Sequence, residues 1–193
     1  MNVSPSKNNT KNYQSASEIL KAMVEEHILT SGLTSIELKR NDFLIKKGQI
    51  AGDMYIVKAG ALKIFVSTRK DDIILRLGYN GSWMTSFPSF LTGEPSEFNI
   101  QAIKRTSLLR ISRMDFFDFI NSSEETKNLW LKMLEEFAVQ QLDREIDVLT
   151  RSPYERYKRL LERSPYIFQE IPNKYLASYL RMSPETLSRL KKR

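Results

Sequence analysis

Glu185, Thr186, Ser188 and Arg189 stand within one helical turn of each other near the C-terminal end of the sequence. Ser183 caps the helix that carries them and Pro184 takes its first position, with Thr186 at N3 in place of the Glu of a capping box. Leu187 and Leu190 turn inward, and those four residues face outward. An outward Arg can pair in bidentate fashion with guanine O6 and N7, and a Glu can accept from cytosine N4. Ser183, Lys174, Lys191 and Lys192 suit phosphate contacts. Covalent and metal chemistry have little to work with. The 193 residues contain no Cys and a single His, His27, so thiolate sites and multi-histidine metal centres are excluded.

The charge distribution points the same way. Residues 1–150 hold 19 Lys/Arg and 19 Asp/Glu; residues 151–193 hold 11 against 4, the whole net charge of +7. A neutral body with a basic end expects a polyanion, either nucleic acid or an anionic membrane. The C-terminal leucines turn inward and leave no broad apolar face, which disfavours a membrane. A plain helical hairpin with a solvated basic face is the bland alternative.

The elements that must position these residues follow from periodicity. Residues 1–14 are polar and read as a disordered tail without an apolar signal-peptide core, so a cytoplasmic protein is expected. Ile19, Leu20, Met23, Val24 and Ile28 recur at helical spacing over Ala16 to Leu29, with Ser15 or Ser17 as cap. From Ile36 to Ile111 short β-type runs, alternating over Leu62–Val66 and Phe98–Ala102, are broken by turns, the signature of an antiparallel barrel or jelly roll. Between Trp83 and Phe98, Pro88 and Pro95 interrupt a segment that reads as an elaborated ligand-binding loop. A short helix over Arg113–Ile120 precedes a long one from Ser122 or Ser123 to about Leu149. On it Leu131, Leu134, Ala138, Leu142, Ile146 and Leu149 form a stripe, and Trp130, Met133 and Phe137 broaden the apolar surface on another side; two faces need two partners, the barrel and the same helix of a second subunit, with simple burial in one domain as the alternative. Ser152-Pro153 opens the next helix, Tyr154–Arg163. Pro172–Leu180 and Pro184–Lys192 follow as a helix-turn-helix pair, with Leu176, Ala177 and Leu180 inward on the first.

Lys47-Gly48, the run Asp53 to Lys63, Gly81-Ser82-Trp83 and the final Ser183-Pro184-Glu185-Thr186-Leu187-Ser188-Arg189 together resemble the Crp/Fnr family of bacterial transcription regulators. The resemblance covers about Ile36 to Arg193. It implies an α+β fold: an N-terminal helix, an antiparallel β-roll of the cyclic-nucleotide-binding type, a long dimerisation helix and a C-terminal helix-turn-helix. The expected division is 1–14 tail, 15–121 sensor, 122–150 dimerisation helix and 151–193 DNA-binding domain. The implied protein is a homodimer on pseudo-palindromic double-stranded DNA, with RNA polymerase as a further partner and no catalytic activity. Glu185 and Arg189 fall where the family's base-reading Glu and Arg stand, and Pro184 replaces a further Arg. Arg181 replaces the usual turn glycine and is expected to be left-handed. The stretch from Arg163 to Ile171 is too short for the wing of longer members and resembles the shorter Bacteroidetes type.

The family's cyclic-nucleotide binders carry a Gly-Glu pair and an Arg in the pocket. Here Thr85-Ser86 and Ser96 stand there, forfeiting a charge-assisted bond worth ~1.5–3 kcal/mol. Cyclic AMP is therefore not expected. Thr85, Ser86, Ser89 and Ser96 are left to bind a smaller or neutral effector of unknown identity. Gln141 is a candidate contact from the long helix, with an interface glutamine the plainer reading. No cofactor or metal is expected. The alternative function is a small-ligand or cyclic-nucleotide sensor acting through protein contacts rather than DNA.

Overall fold

The computed structural model describes residues 15–31, 35–69 and 71–192. The expected tail 1–14, Lys70 and Arg193 lie outside them. Helix α1 (Ala16–Thr30) begins at a complete capping box, Ser15 with Glu18. Its buried Leu20, Val24 and Ile28 face the core, and the Glu136 carboxylate accepts from the Ala16 and Ser17 N–H groups at 2.8 and 3.2 Å. Half-buried His27 rests against Phe119, its ring centroid 4.7 Å away.

Among the described residues eight strands follow: β1 (Ser35–Leu38), β2 (Phe43–Ile45), β3 (Asp53–Ala59), β4 (Ala61–Ser67), β5 (Asp72–Tyr79), β6 (Trp83–Met84), β7 (Asn99–Ala102) and β8 (Thr106–Ser112). They form two antiparallel four-stranded sheets, ordered β1-β8-β3-β6 and β2-β7-β4-β5. Met54, Ile56, Leu62, Ile100, Leu108 and Ile111 fill the roll between them. Consecutive strands β3 and β4 belong to different sheets, so the chain turns sharply at Gly60, whose φ is 88°.

The segment read as an irregular loop contains a helix, α2 (Phe87–Thr92). Pro88 sits in its first turn, where the missing N–H costs nothing, and left-handed Gly93 closes it. Ser112 caps α3 (Arg113–Asn121) and Ser123 caps α4 (Glu124–Leu149). Met133 of α4 is buried in the roll core, and Phe137 stacks on Phe87 at 4.5 Å. Leu131, Ala138, Leu142, Ile146 and Leu149 are exposed and Leu134 half-buried, so the α4 stripe lies open in the single chain. No helix among the described residues is long and apolar enough to cross a membrane.

Ser152 caps α5 (Pro153–Arg163); α6 (Ile167–Glu170), α7 (Asn173–Tyr179) and α8 (Pro184–Leu190) follow. The expected first helix of the pair starts one residue later, because Pro172 serves as its N-cap. A second core joins these helices to the outer side of the roll: Leu160, Ile167, Ile171, Leu176, Tyr179 and Leu187 cluster with Ala61, Ile74 and Ile103.

A Cβ on Gly60 would overlap the Arg105 carbonyl oxygen and lie 2.6 Å from Thr106 Cα, both backbone atoms that cannot swing aside. Gly60→Ala is expected to lower the unfolding free energy by about 3 kcal/mol or more, read from urea melts.

Candidate nucleic-acid interface and ligand cleft

The C-terminal hairpin is built from α7 and α8 around buried Leu176, Ala177, Leu180 and Leu187. Ala177 at this crossing leaves room for the close approach that a larger side chain would block. Leu190, expected inward, is half-buried. The Ser183 hydroxyl accepts from the Thr186 N–H at 3.2 Å, which starts α8. Arg181 has φ 52°, the left-handed conformation expected of it.

Glu185, Ser188, Arg189, Lys191, Lys192, Lys174 and Ser183 are exposed, and Thr186 is half-buried beside the cap. The Glu185 carboxyl is held below the usual range, first by its own backbone N–H, then by the Ser183 hydroxyl. Lys191 is not a free cation: its Nζ donates to Asn173 Oδ1 at 2.6 Å and lies 5.3 Å from the Phe168 ring centre.

The hairpin is fastened by residues that sequence reasoning passed over. Buried Arg156 of α5 donates to four carbonyls: Leu180 at 2.8 Å, Arg181 at 3.0 Å, Thr150 at 2.6 Å and Arg151 at 2.9 Å. Fully buried Asp147 of α4 accepts from Arg159 Nε at 2.8 Å and Arg163 Nη2 at 2.6 Å. Arg144 of α4 donates to the Tyr179 carbonyl at 2.7 Å, its guanidinium 3.7 Å from that ring's centre. Lys104, after β7, donates to the Glu170 carbonyl. The only sequence signal for the arginines is the density of Arg after residue 143, which also fits a solvated basic face; Lys104 and Asp147 carry none.

The loop hydroxyls are packed away. Thr85, Ser86, Ser89 and Ser96 are each at most 3% exposed. Thr85 donates to the Asp53 carbonyl at 2.9 Å, and Ser89 accepts from the Ala51 N–H at 2.9 Å and donates to the Glu94 carbonyl at 2.5 Å. The Ser86 and Ser96 hydroxyls bond to each other at 2.8 Å, and Ser96 donates to the Phe98 carbonyl at 2.9 Å. Thr85 still lines a cleft of about 880 Å³ bounded by β5, α4 and the C-terminal helices. Gln141 lies in its wall, where its carboxamide oxygen can accept from Arg76 Nη2 at 2.9 Å and Nε at 3.2 Å.

Residues 35–123 match the family model of the cyclic nucleotide-binding domain. The chain is similar in fold to FixK2 from Bradyrhizobium japonicum, at 17% identity and TM-score 0.65, covering 82% of each chain. It is similar to the c-di-GMP responsive global regulator CLP of Xanthomonas campestris, at 16% identity and TM-score 0.62, over 89% of this chain and 90% of that one. It is also similar to the catabolite activator protein of Thermus thermophilus, at 20% identity and TM-score 0.53, over 88% and 81%. No curated protein matches the sequence. The α+β architecture, a cyclic-nucleotide-binding β-roll followed by helices, is thus that of regulators of this type.

The left-handed Arg181 costs about 1 kcal/mol that glycine does not incur. Arg181→Gly is expected to raise the urea midpoint, adding roughly 0.5–1 kcal/mol after the greater freedom of unfolded glycine is counted.

Proposed function

We propose that this chain is a homodimeric, sequence-specific DNA-binding transcription regulator of Crp/Fnr type. The division is a sensor roll over 15–121, a dimerisation helix over 122–150 and a DNA-binding hairpin over 151–193. The observation that carries this reading is the exposed face of α8, where Glu185, Ser188 and Arg189 stand clear of a hairpin whose apolar side is fully used. Arg189 and Glu185 read base edges with Thr186 and Ser188 beside them; Ser183, Lys174, Lys191 and Lys192 contact phosphates. The depressed Glu185 carboxyl supports its role as an acceptor, since it stays ionised near neutrality. Two hairpins on one dimer meet successive major grooves about one helical turn apart, so the operator is pseudo-palindromic.

The open α4 stripe supports the dimer. Leu131, Leu134, Ala138, Leu142, Ile146 and Leu149 follow the three- and four-residue steps of a coiled-coil seam, and water is an unfavourable neighbour for so continuous an apolar row. The effector is a small molecule other than cyclic AMP, because Ser86 and Ser96 bond to each other where the family's nucleotide ligands would need charge. The protein works in the cytoplasm, with RNA polymerase as the further partner.

Gel retardation with DNA selected from a random pool tests the base reading. Arg189→Ala is expected to weaken the selected site by about 1–3 kcal/mol and relax its preference at one position, whereas Lys174→Ala weakens all sequences alike and flattens the salt slope. An Arg189→Ala protein with unchanged preference would overturn the role of that residue. Leu142→Glu is expected to shift the chain from dimer to monomer in sedimentation without lowering helix content.

A further inference from the structure

The two ends of α8 are fastened very differently. At its start Ser183 caps the helix, buried Leu187 roots it, and the Met182 N–H donates to the Ala177 carbonyl at 3.0 Å. At its end Lys191 donates from Nζ to Asn173 Oδ1, the first residue of α7, at 2.6 Å. Among the described residues no other side-chain hydrogen bond joins that last turn to the rest of the hairpin.

A lysine at the end of a helix can stay on its own last carbonyls, where the dipole favours a cation. Lys191 reaches across instead, to the start of α7, where the dipole opposes it. Burial pulls its ammonium below the ordinary range. Pro172 gives α7 no side-chain cap, and Asn173 Oδ1 serves the ammonium rather than a helix N–H. The Lys191 Nζ also lies 5.3 Å from the Phe168 ring centre, and Phe168 meets Tyr157 of α5 edge-on, ring centres 5.3 Å apart. The end of α8 is thereby tied to α5, α6 and α7 together.

Lys191 and Arg189 are two residues apart, about 200° around a helix axis. What draws Lys191 inward turns Arg189 outward. With Leu187 as the pivot, release of Lys191 lets the end of α8 tilt, and Arg189 moves with it while Glu185 stays beside the Ser183 cap. A bidentate pair to guanine tolerates displacements of only about 0.5 Å.

We infer that Lys191 and Asn173 form a latch that sets the tilt of α8, which makes Lys191 a positioning residue for base reading by Arg189. The inference rests on the regulator reading above and deepens it. The latch uses one of three ammonium donors, so the outer side of Lys191 can still meet a phosphate.

Gel retardation tests it by comparing the selected operator with the same DNA changed at the base pair that Arg189→Ala relaxes. Asn173→Ala is expected to lower that discrimination about fivefold, part of what a bidentate pair supplies, with helix content, salt slope and affinity for random DNA unchanged. Asn173→Asp, which keeps an acceptor for the ammonium, is expected to retain the discrimination. Lys191→Met carries the comparison from the other side of the bond: it should lower discrimination as Asn173→Ala does, and the double variant no further. In an Arg189→Ala background Asn173→Ala should change nothing more at that base pair. Undiminished discrimination by Asn173→Ala or Lys191→Met overturns the latch. So does an equal further loss in the Arg189→Ala background, or an Asn173→Asp protein as indiscriminate as Asn173→Ala. The regulator reading survives those results, because the unsubstituted chain still selects its operator. A chain that selects no DNA, or an Arg189→Ala protein with unchanged preference, removes the reading first and the latch with it.

Discussion

A carboxylate with no contact to solvent sits where the long helix gives way to the C-terminal helices. Asp147 could not be buried alone, since an isolated charge in the interior costs several kcal/mol. Two guanidinium groups from α5 meet it, and because Arg159 and Arg163 are a turn apart they fix the angle of α5 against α4 as well as its distance. The second apolar cluster, the seating of α7 on β5 and the outward aim of α8 all depend on that angle. The pair is thus a device for orientation more than for stability.

Local interactions were the legible part of this fold. Ser112 and Ser183 announced their helices because a cap bonds only three residues ahead. The runs of β3, β4, β5 and β8 are readable as short apolar segments closed by turns, although Met54–Val57 of β3 and Ala61–Phe65 of β4 are buried on both faces. Short elements escaped: α6 spans four residues and β6 two, too few for any period to register. The anchoring arginines escaped for a different reason. Arg156 reaches a carbonyl 24 residues away and Arg144 one 35 residues away, and a basic residue on a basic helix gives no sign of such a partner.

The candidate site divided along the same line. The outward residues of α8 followed from helical spacing, while the fates of the pocket hydroxyls did not. Thr85, Ser86, Ser89 and Ser96 lie in a turn whose backbone carbonyls and N–H groups need partners when buried, and short hydroxyl side chains can supply them. A residue with a charge at Ser96 would face desolvation in that position unless a ligand answered it. Arg76 is the one charged residue in the apolar run Ile73–Leu77, and nothing local to that run tells that the fold turns it toward Phe137 of α4.

Arg156 has a consequence for how chain length can vary. It ties the carbonyls of Thr150 and Arg151, at the join between long helix and hairpin, to those of Leu180 and Arg181 in the turn. A single inserted residue between Leu149 and Pro153 would carry two of those four acceptors out of reach. The exposed loop at Pro165 and Tyr166 carries no such tie, so insertions and deletions among related chains should gather there and spare the join.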